Sequence, residues 1–214
     1  MMSIIIKRAM KLSVQQVAEN RERVLDTALK LFRERGFDGV SVSDLMRSAG
    51  LTHGGFYNHF ASKADLAAQA CARAFAGSTA VLREAAAAPS GPGRKFGLAG
   101  YISRYLSRSW RDAPAAHCPM VAFGTDVARG DESVSAAYGA GVEAYIAGLA
   151  ALTEGDNVDP ASARRQAITL AATLTGALAL SRAVRASHPA LSDEILATVR
   201  DALLSATLDA SEEN

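Results

Sequence analysis

Between Leu51 and Lys63 the chain gathers groups that hydrogen-bond to phosphate oxygens and to base edges. Thr52 stands where a helix N-terminus is expected, so its hydroxyl and the unpaired amide N–H groups beyond it can meet an anion together. His53 adds an imidazole suited to a base edge or a phosphate. Tyr57 adds a phenol hydroxyl for phosphate and a ring face for a thymine methyl. His59 and Lys63 extend this polar surface, Lys63 with a cation. Gly54 and Gly55 are each about 1 kcal/mol worse than Ala in a helix. They make sense where backbone must come close to a partner. Phe56 and Phe60 read as core. The bland alternative is a helical bundle with a glycine-rich turn, in which His53 is only solvated.

Groups so spaced need short helices to aim them. Val17, Arg21, Val24, Ala28, Leu31 and Phe32 recur at helical steps, which predicts a helix over Val14–Arg35 that stops at Gly36. Ser41 followed by Asp44 is a capping box and opens Val42–Ser48, which Gly50 ends. Thr52 caps a second short helix. Ser62 with Asp65 makes another box for a long helix from Lys63 to about Ala87. The turn Ser48-Ala49-Gly50-Leu51 joins the short helices in a helix-turn-helix pattern, with Leu45 and Leu51 filling the angle between them.

The run GFDGVSVSDLMRSAGLTHGGFYNHFASKADL, Gly36 to Leu66, closely resembles the DNA-binding segment of the tetracycline-repressor (TetR) family, as does the ALKLFRERGF that leads into it. The likeness covers about residues 15–66. It implies an all-α fold: a three-helix head that binds double-stranded DNA, and a helical body that binds a small molecule and dimerises. It further implies that Thr52, His53, Gly54, Tyr57, His59 and Lys63 face DNA and that Ser41 meets a phosphate. His53 departs from the lysine or arginine often found there, which leaves its base preference open. The implied partners are an inverted-repeat operator, a second copy of the chain and an effector that the sequence does not identify. The resemblance implies a repressor that the effector releases from its operator, although the sequence alone does not separate repressor from activator. The expected organisation is a flexible arm over residues 1–13, the head over 14–62 and the body over 63–214. Lys7, Arg8 and Lys11 of the arm could follow the minor groove.

Beyond the Pro89–Gly93 loop, helices are expected near Lys95–Arg111, Cys118–Ala128, Glu132–Leu152, Ala161–Ala186 and Asp193–Leu208, and no strand. Leu170, Leu174, Leu178 and Val184, with Ile195, Leu196, Val199, Leu203 and Leu208, could build a four-helix interface between two copies. A ligand pocket is expected among Phe96, Tyr101, Tyr105, Trp110, Met120, Phe123 and Tyr138. Cys118, between His117 and Pro119 at a helix start, is a candidate reactive thiol. Cys71 reads as packing. This leaves an alternative: a small-molecule or redox-sensing protein, acting through Cys118, without operator binding.

Composition narrows the rest. The chain has 214 residues, 49% hydrophobic and 21% charged, enough to bury a core and unlike a disordered chain. Alanine is about a fifth of it, which favours helix. Net charge is +1, with +3 in residues 1–65 and −2 in the remainder, too weak an asymmetry to argue for nucleic acid. Two cysteines cannot make a disulfide framework or a four-ligand zinc site. His53 and His59 are six apart and share no helical face for a metal. Neither a phosphate-binding loop nor a hydrolase or metalloprotease motif occurs, so no enzyme, cofactor or metal is expected. Ile4–Ile6 is too short for a signal segment. Ala161–Ala179, interrupted by Arg164, Arg165 and Gln166, comes closest to a membrane span. The expectation is a cytoplasmic protein that does not engage membrane.

Overall fold

Helix α1 (Val14–Arg35) ends at Gly36, whose φ of 71° lies in the left-handed region that glycine adopts without strain. The computed structural model describes residues 14–86, 92–113, 118–153 and 159–212, and the side chains of these except 92–96, 153 and 208–212. The arm with Lys7, Arg8 and Lys11, the loop residues 89–91, His117 and the side chains of Phe96 and Leu208 lie outside the described residues.

Ser41 caps α2 (Val42–Ser48). Its hydroxyl accepts from the Asp44 amide at 3.1 Å, and the Asp44 carboxylate accepts from the Ser41 amide, as the S-x-x-D spacing predicts. After Gly50, again at φ 71°, residues His53–Asn58 form a 3-10 helix where an ordinary short α-helix was expected. Gly54 and Gly55 account for the tighter winding, since neither adds helix propensity to so short a segment. Thr52 stands at its N-cap but makes no side-chain cap bond.

Helix α3 (Lys63–Ala86) begins with Ser62 accepting from the Asp65 amide at 3.0 Å, while the Asp65 carboxylate reaches back to the Ala61 amide. Then follow α4 (Pro92–Tyr105), α5 (Arg108–Asp112), α6 (Pro119–Val127), α7 (Glu132–Thr153), α8 (Pro160–Val184) and α9 (Pro189–Glu212). The single helix expected over Lys95–Arg111 is two, because the Ser107 hydroxyl takes the Trp110 amide and starts α5 afresh. Helix α9 begins four residues before the expected Asp193, with Pro189 in its first turn. Among the described residues there is no strand.

In the head, Val24, Ala28, Phe32, Val40, Leu45 and Phe56 are fully buried in a core that continues into α3 at Leu66 and Ala70. Helix α3 then packs along α7, its largest contact. Gly141 makes the approach possible: a Cβ there would sit 2.2 Å from the Phe75 ring. One heptad on, Gly148 would bring a Cβ to 3.1 Å from Leu82. Helix α8 lies against α7 and α9. By length and composition alone it could cross a membrane, with mean hydropathy 1.5 over its best window. Ala163, Ala167, Leu170, Ala171, Leu174, Ala177 and Leu178 spend that apolar surface inside the chain. Leu174, expected to face a second copy, is therefore wholly internal. Helix α5 is tied to α9 by Arg111, whose buried guanidinium donates to the Ser192 hydroxyl and the Asp193 carboxylate, both at 2.7 Å.

Gly141→Ala should lower stability by about 1–3 kcal/mol, because the Phe75 ring has no room to yield within the α3–α7 seam. In a chain of this size that is a fall of about 2–4 °C in Tm per kcal/mol. Thermal melts by circular dichroism check it, and an unchanged Tm would mean that the two helices sit further apart.

Candidate nucleic-acid interface and central cavity

The head carries an exposed ring on a buried foundation. Tyr57 is 67% exposed, and its ring stands edge-on at 5.2 Å to the fully buried Phe56. Phe56 in turn meets Phe60 at 5.7 Å. Alternation within one short 3-10 helix thus anchors one aromatic and displays the next. Ser41, Thr52, His53 and Gly54 are exposed as well, and Lys63 is half-exposed at the first position of α3. The Thr52 hydroxyl makes no cap bond, and its residue is exposed. A Cβ at Gly54 would meet nothing within 4 Å, so none of the described residues requires glycine there. At Gly55 an added Cβ would lie 3.6 Å from Met46, an ordinary van der Waals contact. His59 differs from the expectation of an outward contact. It is half-buried, and its Nδ1 is enclosed without a hydrogen-bond partner.

Helix α6 docks the body onto the base of this head. The Asp126 carboxylate accepts from the Phe37 amide at 3.0 Å, and Phe123 stacks on Phe37 at 5.2 Å. Gly36 is required twice, by its φ and because a Cβ would fall 2.6 Å from Asp126 Oδ2.

A cavity of about 540 Å³ opens between α1, α3, α4, α5 and α7. Its size lies in the range of about 300–1,000 Å³ usual for small-molecule sites. Tyr101, Tyr105, Trp110 and Cys118 line it, as the sequence suggested. The rings form a continuous wall: Tyr101 to Tyr105 at 5.8 Å, Tyr105 to Trp110 at 6.1 Å. Tyr145, which sequence reasoning missed, shares a 2.7 Å hydroxyl contact with Tyr101. Burial pushes the phenols of Tyr101, Tyr105 and Tyr145 up, so they act as neutral hydrogen-bonding groups. Leu29, Arg33, Arg73, Gly77 and Arg104 were missed too. Their signal was present for the α3 residues: Arg73, Ala74, Gly77, Ser78 and Val81 are one helical stripe of mostly small side chains.

Met120, Phe123 and Tyr138 stand elsewhere. Phe123 is wholly buried against the head, and Tyr138 meets Phe75 edge-on at 5.4 Å and donates to the Met120 carbonyl at 3.3 Å. Met120, 8% exposed, receives the Thr175 hydroxyl at its sulfur. Helix α6 turns this face to the head, α7 and α8, and offers the cavity only its N-cap, Cys118. Both cysteines are buried and free, and burial pushes the Cys71 thiol up to about 11. Among the described residues no three His, Cys, Asp or Glu side chains cluster as a metal site.

Residues 24–70 match the family described as bacterial regulatory proteins, tetR family. The HTH-type transcriptional regulator AcrR of Shigella flexneri is 40% identical over 52 residues, which is 24% of this chain and 24% of that protein. The aligned stretch is thus about a quarter of that relative's length. Similarity to solved structures runs much further. The reduced form of NemR from E. coli has a TM-score of 0.70 at 25% identity, covering 86% of this chain and 96% of that one. A TetR transcriptional regulator from Legionella pneumophila gives 0.71 at 20%, covering 92% and 99%.

Two outcomes follow from this geometry. At pH 8 iodoacetamide should label Cys118 well before Cys71, since a thiol at about 11 is ionised in roughly one molecule in a thousand. Peptide mass spectrometry reads the order, and Cys71 reacting first would show the cavity wall closed to reagent. Gly54→Ala should raise stability by about 0.5–1 kcal/mol, as a methyl in open space restrains the unfolded chain. A loss of stability would show a neighbour that the described contacts lack.

Proposed function

Residues 24–70 are a tetR-family segment, and on that premise we propose that the chain is a cytoplasmic, dimeric regulator of transcription, a repressor released from DNA by a small molecule. The head over 14–62 reads an inverted-repeat operator through Ser41, Thr52, His53, Gly54, Tyr57 and Lys63, with His59 in a lesser, partly enclosed position. The body over 63–214 holds the ligand and the second copy. The observation that carries this reading is the display of Tyr57, a large ring 67% exposed on a rigid aromatic base, beside a glycine with open space above it. Exposed rings with open backbone beside them suit a surface that closes on a partner.

Dimerisation is assigned to the outer face of α8 and α9. Ile168, Leu180 and Leu191 are 44%, 59% and 43% exposed, on helices whose other sides are already packed within the chain. Two such helices from each copy make a four-helix contact with two-fold symmetry. The operator then carries the same symmetry. Release is a shift between dimer states, and a hundredfold loss of operator affinity asks the ligand to favour the off-state by about 2.7 kcal/mol.

A second reading has one supporting observation. Cys118 both lines the cavity and caps α6, the helix that touches the head. Modification of its sulfur by an electrophile or oxidant would then act where a ligand acts, with or without operator binding.

Three measurements test these readings. Tyr57→Ala and Lys63→Ala should each weaken operator binding without unfolding the chain. The lysine change should reduce the salt slope by about one unit, as loss of one phosphate contact does. Unchanged affinity in both would remove this surface from the reading. Leu180→Arg should give monomers by sedimentation where the unchanged chain is a dimer; a dimer that tolerates it has its contact elsewhere. Cys118→Ser should abolish release by an electrophile if the second reading holds, and leave it intact if the thiol is only packing.

A further inference from the structure

The cavity's lining has a definite sign. Arg33, Arg73 and Arg104 border it, and among the described lining residues there is no carboxylate. These arginines differ in what already holds them. Arg73 is shared with Glu22 and Asp26 on α1, the Asp26 contact at 2.7 Å. Arg104 lies over the Trp110 ring at 4.9 Å, a cation held on an aromatic wall. Arg33 is half-buried on α1, where burial lowers its pKa from the usual guanidinium value. A desolvated cation is costly, and an incoming anion offsets that cost. The wall of Tyr101, Tyr105 and Trp110 beside this charge is aromatic and neutral, its rings tilted 39° and 32° to one another.

We propose that the cavity takes an aromatic carboxylate, its ring against the Tyr101–Tyr105–Trp110 wall and its anionic group toward Arg33 and Arg104. This rests on the reading of the cavity as the effector site and goes beyond it by naming the ligand's charge and shape. A planar carboxylate matches guanidinium geometry, accepting two parallel N–H bonds. A cationic ligand would meet the Arg33 and Arg104 charges, with no carboxylate among the described lining residues to offset them. A neutral ligand would occupy the aromatic wall and add no charge contact to it. Arg33 belongs to α1, so the ligand's charge would bear directly on a helix of the head.

The test compares three probes of one shape on the full-length protein: 2-naphthoate, 2-naphthylmethanol and 2-naphthylmethylammonium, by titration calorimetry. The carboxylate is expected to bind at least tenfold tighter than the alcohol, and the ammonium weakest. Arg33→Gln should reduce the carboxylate's advantage to less than threefold with little change in the alcohol's Kd, and Arg104→Gln, which also uncovers the Trp110 ring, should weaken the carboxylate severalfold more than the alcohol. Arg104→Lys, which keeps the charge, should retain part of the advantage. A rigid structural role for either arginine would instead weaken all probes alike. Gly77 lines the cavity and an added Cβ there meets nothing within 4 Å, so Gly77→Phe should fill the space and block every probe. If the alcohol binds as tightly as the carboxylate and Gly77→Phe blocks both, the charge inference is overturned while the effector-site reading stands. If none of the three binds, the inference falls. The effector-site reading then falls with it only when Gly77→Phe also leaves unchanged the binding of whatever compound releases the protein from DNA.

Discussion

The seating of the Phe75 ring on the bare backbone of Gly141 sets the spacing on which the rest of the molecule depends. It lets α3 lie close along α7, and α3 is the element that the head and the body share. At its N-terminal end α3 contributes Leu66 and Ala70 to the core that supports the 3-10 helix; further along, it supplies Ala74, Gly77, Ser78 and Val81 to the cavity. One helix therefore fixes both the angle of the 3-10 segment and the width of the cavity. A helix of small side chains suits both ends of this task, because small residues permit close approach on one face and leave volume on the other.

Helix α6 supplies a second, shorter link. It begins at Cys118 on the cavity and ends near Asp126, which holds the Phe37 amide just past the turn at Gly36. The contact joins a carboxylate to a backbone amide and a ring to a ring, so it fixes position in two directions at once. A shift of α6 by a fraction of an ångström is resisted at Gly36, where even a methyl group has no room. Packed elements of this kind move as units between discrete arrangements and do not flex gradually.

The elements were largely legible in the sequence because their punctuation is local. Gly36, the Ser41–Asp44 box, Gly50 and Ser62 each act within a few residues, and the helices begin or end beside them as expected. The short helix after Thr52 lies where the sequence puts it, but it winds as a 3-10 helix, because the low helix propensity of Gly54 and Gly55 marks a weak segment without saying which winding it takes. The cavity was half legible. Tyr101, Tyr105, Trp110 and Cys118 border it, but Met120, Phe123 and Tyr138 do not, because an aromatic residue in sequence carries no record of which neighbour it faces. Arg33 and Arg104 escaped notice for the same reason: a charged residue on a helix reads as solvated until another helix closes over it. Leu174 shows the limit for interfaces. Periodicity marks an apolar face, but whether the same chain or a second copy covers it depends on where α7 and α9 lie.

Trp110 is the chain's one tryptophan, and it stands in the cavity wall between the Tyr105 ring and the Arg104 guanidinium. Its indole emission therefore arises from a single known place. Light absorbed by the tyrosines beside it passes to the same ring, so excitation anywhere in the aromatic wall reports from one spot. Any occupant that displaces the guanidinium or lies against the indole changes the colour and yield of that emission, which makes the protein an optical indicator of its own occupancy, free of attached dyes.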